Sequence, residues 1–209
     1  MEQAVGIIGG TFDPIHFGHL LAAEEARLRF RLDRVVFVPN REPPHKRTYP
    51  VTPAEHRFAM VTLGTASNPH FDASRVEIER PGPSYTVDTM RHFRERLGQA
   101  CRLYFVTGAD AMLETVTWRS PEEISRLCEF IAVTRPGYDI DRVACANLPP
   151  QTRLHALQIP GLEISSTDLR GRAARGEPLR YLVPSAVARY IATHRLYRTP
   201  HGEACGETK

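Results

Sequence analysis

The fold is best predicted from the stretch Val5-Gly6-Ile7-Ile8-Gly9-Gly10-Thr11-Phe12-Asp13-Pro14-Ile15-His16-Phe17-Gly18-His19. Its first residues form a short apolar run that is typical of a buried strand. Glycines follow at once, and they let the backbone approach a ligand closely. A helix that begins near Gly18 directs its N–H groups at the same place, which favours an anion.

The two histidines of this stretch are candidate phosphate ligands. His16 and His19 are three residues apart, so they can project toward one point from the loop and from the first helical turn. Two imidazole donors beside a helix N-terminus suit the polyphosphate of a nucleotide. The motifs G-x-x-x-x-G-K-[ST] and G-x-G-x-x-G do not occur. Asp13, His16 and His19 also have the spacing of metal ligands, but no further ligand is evident and a metal site leaves the glycines unexplained.

Short apolar runs alternate with helical patterns along the rest of the chain. This alternation indicates a parallel sheet with crossover helices. We therefore predict a doubly wound, Rossmann-like α/β fold with a small C-terminal helical portion. The predicted strands are Val5–Ile8, Arg34–Val38, Arg102–Thr107, Phe130–Thr134 and Leu154–Ile159, with Arg75–Glu79 as a further candidate.

Helices are predicted between these strands. Leu21, Leu28 and Leu32 give the first helix one apolar stripe. Thr52-Pro53-Ala54-Glu55 has the form of a capping box with proline at the first helical position, and this helix is expected to end near Ser67. Two further helices are expected at about Tyr85–Leu97, before Gly98, and at Pro184–His194.

The composition restricts the classes of function. The chain has 209 residues and a formal net charge of +3, which suits small anionic substrates. Its basic residues are not clustered as in nucleic-acid-binding proteins. No apolar run is long enough to span a bilayer, and the N-terminus lacks the features of a signal peptide. The four cysteines include no C-x-x-C pair, so we expect reduced thiols.

From these features we expect one cytoplasmic domain over residues 1–198. Residues 165–198 would form the C-terminal helical portion, and residues 199–209 a flexible tail. Contacts with nucleic acid or membrane are not expected, and a homo-oligomer is compatible with the sequence.

The loops after the predicted strands contain the unusual residues. In an open parallel sheet the ligand site lies off the carboxyl ends of the strands, where Pro/Gly-rich pieces occur at 39–50, 80–84 and 135–137. Of the 27 basic residues only Lys46 and Lys209 are lysines. Lys46 is therefore a candidate ligand, and an accidental surface lysine is the alternative.

A second phosphate motif is predicted at Ile164-Ser165-Ser166-Thr167-Asp168-Leu169-Arg170. Ser165 and Asp168 can cap a helix, while the Ser166 and Thr167 hydroxyls and the Arg170 guanidinium can donate to a phosphate. A helix cap without a ligand is the alternative for this segment alone. Together with the H-x-G-H sequence at residues 16–19, it resembles the nucleotidyltransferase superfamily.

Within that superfamily the chain closely resembles the bacterial nicotinate-nucleotide adenylyltransferases, from Gly6 to about Arg198. Asp168-Leu169 departs from the more usual apolar pair of the second motif. Four further segments carry the resemblance: Pro43-Pro44-His45-Lys46, Gly82-Pro83-Ser84-Tyr85-Thr86, Gly108-Ala109-Asp110 with Trp118, and Arg135-Pro136-Gly137.

The resemblance implies two half-sites. The ATP half would be formed by Gly9, Gly10, Thr11, Phe12, Gly108, Ser166 and Thr167, with His16, His19 and Arg170 as the catalytic residues. The nicotinate mononucleotide half would be formed by Lys46, Ser84, Tyr85, Thr86, Asp110, Trp118 and Arg135.

Three of these residues have structural alternatives. Trp118, the single tryptophan, suits stacking on a pyridinium, but it could anchor the core instead. Tyr85 could be a packing residue, and Asp110 could cap the helix that follows it.

The implied reaction transfers the adenylyl group of ATP to nicotinate mononucleotide and releases pyrophosphate, with Mg²⁺ carried by ATP. The alternatives are a phosphopantetheine adenylyltransferase, an aminoacyl-tRNA synthetase of class I, and a non-catalytic nucleotide sensor of the same fold. The chain is short for a synthetase, and phosphopantetheine requires no aromatic pyridine platform. Loss of a histidine or of Arg170 would have favoured a sensor, and all three residues are present.

Overall fold

A parallel sheet forms the centre of the protein. The structure is a computed structural model that describes residues 3–42, 51–113, 118–134 and 148–198. In these residues, six parallel strands lie in the order β3-β2-β1-β4-β5-β6. They are β1 (Ala4–Gly10), β2 (Arg34–Pro39), β3 (Phe71–Ala73), β4 (Arg102–Gly108), β5 (Glu129–Thr134) and β6 (Leu154–Gln158). The predicted α/β class is confirmed, because this is the strand order of a doubly wound fold.

Helices cover both faces of the sheet. One apolar layer packs β1, β2 and β4 against α1, α2, α7 and α8, and the other packs the same strands against α4 and α6. Every strand in the middle of the sheet is buried on both sides, which explains its nearly continuous apolar sequence. The helices are α1 (Phe17–Phe30), α2 (Ala54–Thr65), α3 (Val76–Glu79), α4 (Thr86–Leu97), α5 (Ala109–Leu113), α6 (Pro121–Leu127), α7 (Ser166–Ala174) and α8 (Ser185–Thr193).

Several helix ends follow their sequence signals. Gly98 ends α4 with a φ of 77°, a conformation that glycine adopts without a steric penalty. Ser165 is the N-cap of α7, and its hydroxyl accepts a hydrogen bond from the backbone N–H of Asp168 at 3.1 Å. Helix α8 lies within the predicted range.

The strand predicted at Arg75–Glu79 is wrong. Residues 76–79 form the short helix α3, in which Glu77 and Ile78 are buried. The edge strand precedes it at Phe71–Ala73 and pairs with β2. Three residues are too few to show a clear alternation, whereas Val76 and Ile78 mimic one.

Two expectations about helices also need correction. Thr52 does not cap α2, since Pro53 is the N-cap residue and no side chain bonds to the helix end. Of the predicted apolar stripe, Leu21 and Leu32 pack in the core, but Leu28 is 57 % exposed, and the fully buried residues of α1 are Ala23 and Ala26. Small residues face the sheet there because they let the helix approach closely, which a search for large apolar residues overlooks.

Some predicted features lie outside the described residues. These are Lys46 with its Pro-Pro-His context, Arg135 with Pro136-Gly137, and the tail 199–209. No helix among the described residues is long and apolar enough to cross a membrane.

Candidate active site

A cavity of about 410 Å³ lies at the carboxyl edge of the sheet, between the ends of β1 and β4. From β1 the chain crosses to β2 and β3 on one side of the sheet, and from β4 it crosses to β5 and β6 on the other side. The cavity therefore lies at the topological switch point, where such folds bind ligands. Its wall includes several of the predicted ATP-side residues: Gly9, Gly10, Phe12, His16, His19, Gly108 and Ser166. The first and second phosphate motifs therefore meet at one cavity.

The two histidine rings stack against each other at the start of α1. Their centroids are 3.7 Å apart, and the backbone N–H of His16 donates to Nδ1 of His19 at 3.2 Å. Because Nδ1 accepts this bond, the neutral His19 ring carries its proton on Nε2, the nitrogen that can donate to a ligand. Burial, and then the neighbouring His16, lower the pKa of His19 well below its ordinary value.

Gly18 makes room for this arrangement. A Cβ atom at position 18 would lie 3.0 Å from two atoms of the His16 ring, which is tighter than nine in ten Cβ contacts in proteins, so the ring would have to shift. The glycine of the H-x-G-H sequence thus accommodates the first histidine.

The second phosphate motif is attached to the first. The Ser166 hydroxyl donates to the carbonyl of Pro14 at 3.0 Å. Nη1 of Arg170 donates to the carbonyl of Asp13 at 2.8 Å, and its Nη2 donates to the Thr167 hydroxyl at 3.1 Å. These bonds hold the N-terminus of α7 against the loop after β1, so both helix N-termini lie at the same edge of the site.

Asp13 has a structural environment. Its carboxylate accepts a hydrogen bond from the backbone N–H of Thr52 at 3.1 Å and another from the Tyr197 hydroxyl at 2.7 Å. Burial and the adjacent carboxylate raise the pKa of Tyr197, so this hydroxyl stays a donor. Both carboxylate oxygens have protein partners, which argues against the alternative in which Asp13 ligates a metal with His16 and His19.

Ser84 is buried and bonded within the protein. Its hydroxyl accepts from the backbone N–H of Arg41 at 3.0 Å and donates to Glu77. Its own N–H donates to the carbonyl of Glu42 at 3.2 Å. Burial raises the pKa of Glu77, which also accepts from Thr89 at 2.6 Å. Ser84 therefore attaches the start of α4 to the loop after β2.

The other described residues of the predicted nicotinate mononucleotide half are more accessible to solvent than Ser84. Tyr85 is the N-cap residue of α4, and the Arg119 guanidinium lies 5.0 Å from the centre of its ring. Asp110 is exposed in the first turn of α5. Trp118 is partly exposed, with its ring 5.6 Å from Phe105 in an edge-on contact. This contact gives Trp118 a packing role and leaves its proposed stacking role to experiment.

The sequence interpretation missed Arg57. This arginine is 1 % exposed and donates hydrogen bonds to oxygen atoms of Thr11, Asn40, Arg41 and Thr52. A signal was present, because Arg57 precedes Met60 and Val61 by three and four residues and so lies on the apolar face of α2. Tyr197, which bonds to Asp13, was missed because it lies in a short segment after the last helix.

Comparison with known proteins gives a consistent result. The family described as cytidylyltransferase-like matches residues 7–172. A chain from Moorella thermoacetica, described as a probable nicotinate-nucleotide adenylyltransferase, is 52 % identical over 198 residues, or 93 % of this chain and 91 % of the relative. A chain from Thermoanaerobacter with the same description is 46 % identical over 202 residues, or 94 % and 95 %.

Solved structures share the fold. The nicotinic acid mononucleotide adenylyltransferase of Plasmodium falciparum, complexed with NaAD, superposes with a TM-score of 0.75. The match covers 93 % of this chain and 97 % of that one at 21 % identity, so it supports the architecture alone.

Proposed function

This chain belongs to the nicotinate-nucleotide adenylyltransferases of the cytidylyltransferase-like family, and we propose that it transfers the adenylyl group of ATP to nicotinate mononucleotide. The products are nicotinate adenine dinucleotide and pyrophosphate, a step of NAD biosynthesis. The observation that carries the proposal is the meeting of both phosphate motifs at one cavity, in a chain that matches these relatives over nearly its whole length.

The proposed reaction is an in-line attack by the phosphate of the mononucleotide on the α-phosphorus of ATP. The phosphate is already ionised at neutral pH, so no residue has to remove a proton from it. Catalysis then consists of alignment and of stabilising the charge that moves onto the pyrophosphate. We assign that stabilisation to His16, His19 and Arg170, together with the N-termini of α1 and α7.

His19 enters this reaction as a neutral donor. Its lowered pKa favours an uncharged His19 ring before the substrates bind, and the bond from His16 N–H directs the ring proton to Nε2. A neutral donor pays little desolvation before the ligand arrives, and the polyphosphate favours protonation once it is bound. Arg170 supplies a permanent positive charge from its place beside the Asp13 carbonyl.

We propose that the start of α4 binds the nicotinate mononucleotide, which accepts the adenylyl group. The Ser84 hydroxyl is bonded to Arg41 and Glu77, so we assign Ser84 to holding this helix start in place. We assign recognition of the nicotinate carboxylate to Thr86 and the N–H groups of the first turn, where the helix dipole favours an anion. Tyr85, Asp110 and Trp118, with Lys46 and Arg135, stay candidates for the rest of the mononucleotide.

Magnesium is part of the substrate in this proposal. In the described parts of the chain, no three His, Cys, Asp or Glu side chains come together as a metal site. Mg²⁺ generally keeps several waters and binds through the phosphates of a nucleotide, so MgATP is the species we expect to bind. The cytoplasm, where both substrates are available, is the proposed location.

Turnover of the purified protein tests the proposal. With MgATP and nicotinate mononucleotide it should form the dinucleotide and release pyrophosphate in equal amounts. Faster turnover of phosphopantetheine would move the chain to the rival adenylyltransferases. Binding of both substrates without pyrophosphate release would indicate a non-catalytic sensor.

A further inference from the structure

Arg57 is a charged side chain buried beside the site, with 1 % of its surface exposed, and its N–H groups donate to oxygen atoms of the protein. Nε donates to the carbonyl of Thr52 at 2.8 Å, and Nη1 donates to the carbonyl of Thr11 at 2.8 Å. Nη1 also donates to the Asn40 side-chain oxygen at 3.2 Å, while Nη2 donates to the carbonyls of Asn40 at 2.7 Å and Arg41 at 3.1 Å. A guanidinium has five N–H groups, and five hydrogen bonds join this one to the described part of the chain.

The oxygen atoms that Arg57 contacts include backbone carbonyls in the loops that follow two different strands. Thr11 lies between Gly10 and Phe12, which line the cavity at the end of β1. Asn40 and Arg41 come directly after β2. Arg57 therefore joins the loop after β1 to the loop after β2.

The loop after β2 is in turn hydrogen-bonded to the segment that we propose binds nicotinate mononucleotide. The backbone N–H of Arg41 donates to the Ser84 hydroxyl, and the Ser84 N–H donates to the carbonyl of Glu42. The start of α4 follows immediately. A continuous path of hydrogen bonds thus runs from Thr11 through Arg57 and Arg41 to the helix start proposed for the nicotinate carboxylate.

The acceptors that Arg57 contacts are mainly backbone carbonyls of irregular segments. Such segments have no regular backbone hydrogen bonds to fix their spacing. The rigid, planar guanidinium of Arg57 therefore determines how far apart they lie. A lysine would keep the charge, but its three donors on one nitrogen atom cannot reach carbonyls on three segments in the same plane.

We propose that Arg57 is a positioning residue that fixes the ATP half-site relative to the acceptor half-site. The inference rests on the proposed function, and it makes a specific kinetic claim. The rate of transfer depends on the fork of Arg57, whereas the binding of each substrate alone does not, because the fork is buried and bonded to oxygen atoms of the protein.

The test compares Arg57→Lys with a matched variant elsewhere in the fold. Arg94 also donates to backbone carbonyls, namely those of Leu127, Gly98 and Cys101, but it lies at the opposite edge of the sheet. Arg94→Lys is therefore the control for the loss of a carbonyl-bonding arginine without a change in the site.

Three quantities are measured for both variants: the folded fraction, kcat, and the dissociation constant of each substrate by calorimetry. Arg57→Lys should lower kcat per folded molecule by about 10²-fold, the loss expected when reacting groups are displaced by about 1 Å. Each dissociation constant should change by less than about threefold, since ground-state contacts persist. Arg94→Lys should leave kcat per folded molecule unchanged.

Other outcomes overturn the inference. An equal kcat per folded molecule in the two variants would mean that Arg57 only stabilises the fold. A loss confined to the dissociation constant of one substrate would make it part of one half-site. Turnover by the wild type and by Arg94→Lys establishes the proposed function separately, so failure of one idea is distinguishable from failure of the other.

A milder variant decides the matter if Arg57→Lys does not fold. The Asn40 side chain accepts from Arg57 and donates to the Thr11 hydroxyl at 3.3 Å. Asn40→Ala removes both links and keeps the arginine. It should lower kcat by about tenfold with both dissociation constants retained, and an unchanged kcat would refute the positioning role.

Discussion

The two edges of the sheet use the same chemistry for different purposes. At the amino edge, Arg94 donates to the carbonyls of Gly98 and Leu127, which lie at the C-terminal ends of α4 and α6. At the carboxyl edge, Arg57 donates to carbonyls in the loops that follow β1 and β2. Arg94 thus bonds to the ends of helices that have internal hydrogen bonds of their own. Arg57 bonds to loop segments that have few.

Burial differs between the edges in the same sense. Asp13, His16, Arg57 and Ser84 are all buried, and all lie in or beside the carboxyl-edge loops. At the amino edge the charged groups are more accessible, as in the ion pair of Arg153 with Glu129. Buried polar groups are costly to place and have to be bonded. The comparison teaches that this protein concentrates that cost where a ligand is expected.

The largest expected effect comes from His19, at the carboxyl edge. His19→Ala should lower kcat by about 10²–10³-fold, the usual loss when one donor to a developing anion is removed. Steady-state pyrophosphate release, with both substrates saturating, measures it. Arg94→Lys serves as the amino-edge control, and kcat for His19→Ala within a few-fold of the wild type would show that the His16–His19 pair is only structural.

The next effect concerns the acid and amide forms of the acceptor. Donors at the start of α4 satisfy both oxygens of a carboxylate, but they leave the NH₂ group of nicotinamide without an acceptor. We expect kcat/KM to favour nicotinate mononucleotide by at least about 10²-fold. Thr86→Val should narrow the ratio of the two kcat/KM values, and a wild-type ratio near one would show that this helix start does not distinguish them.

Trp118 should give a smaller effect, restricted to one half-site. Trp118→Ala should weaken the binding of nicotinate mononucleotide by about 1–3 kcal/mol, as for loss of an aromatic stacking platform. ATP binding, measured separately by calorimetry, should change little. Because the ring also packs on Phe105, some loss of thermal stability is expected. Equal weakening of both ligands would favour the core-anchor alternative.

The comparison of edges also explains what could be predicted from the sequence. The H-x-G-H sequence and the Ser165–Arg170 segment are local patterns, in which a helix start and its ligand groups are neighbours in the chain. Arg94 follows a local rule in its bonds to the carbonyls of Gly98 and Cys101, which are typical of a basic residue in the last helical turn, whereas its bond to Leu127 crosses to α6. The strands were predicted from apolar runs that the two-sided burial of the sheet requires.

The roles that were missed depend on distant partners. Arg57 bonds to Thr11, 46 residues away in the chain, and Tyr197 bonds to Asp13, 184 residues away. No spacing rule connects such pairs before the topology is known. Ser84 shows the same limitation, because its type and position suit a ligand contact whereas its hydroxyl bonds to Arg41 and Glu77.

The smallest expected effect is a pH dependence of stability that the carboxyl edge contributes. Burial, and then His16, lower the pKa of His19 in the folded protein below its unfolded value of about 6.5. As the pH falls below about 6.5, the unfolded chain takes up a proton at this position before the folded protein does. The contribution of His19 to the free energy of unfolding is therefore complete above about pH 6.5. Below that pH it is lost, by at most about 1.4 kcal/mol per pH unit.

Urea unfolding of the wild type, His19→Gln and Arg94→Lys between about pH 7.5 and about pH 5.5, roughly one unit either side of that ordinary histidine pKa, separates the two edges. His19→Gln should reduce the slope of the unfolding free energy against pH, because glutamine does not titrate. Arg94→Lys should lower the unfolding free energy at every pH and keep the wild-type slope, since it leaves His19 and its surroundings unchanged. Identical slopes in all three proteins would mean that His19 titrates alike in the folded and unfolded states, and the neutral-donor role assigned to it would lose its physical basis.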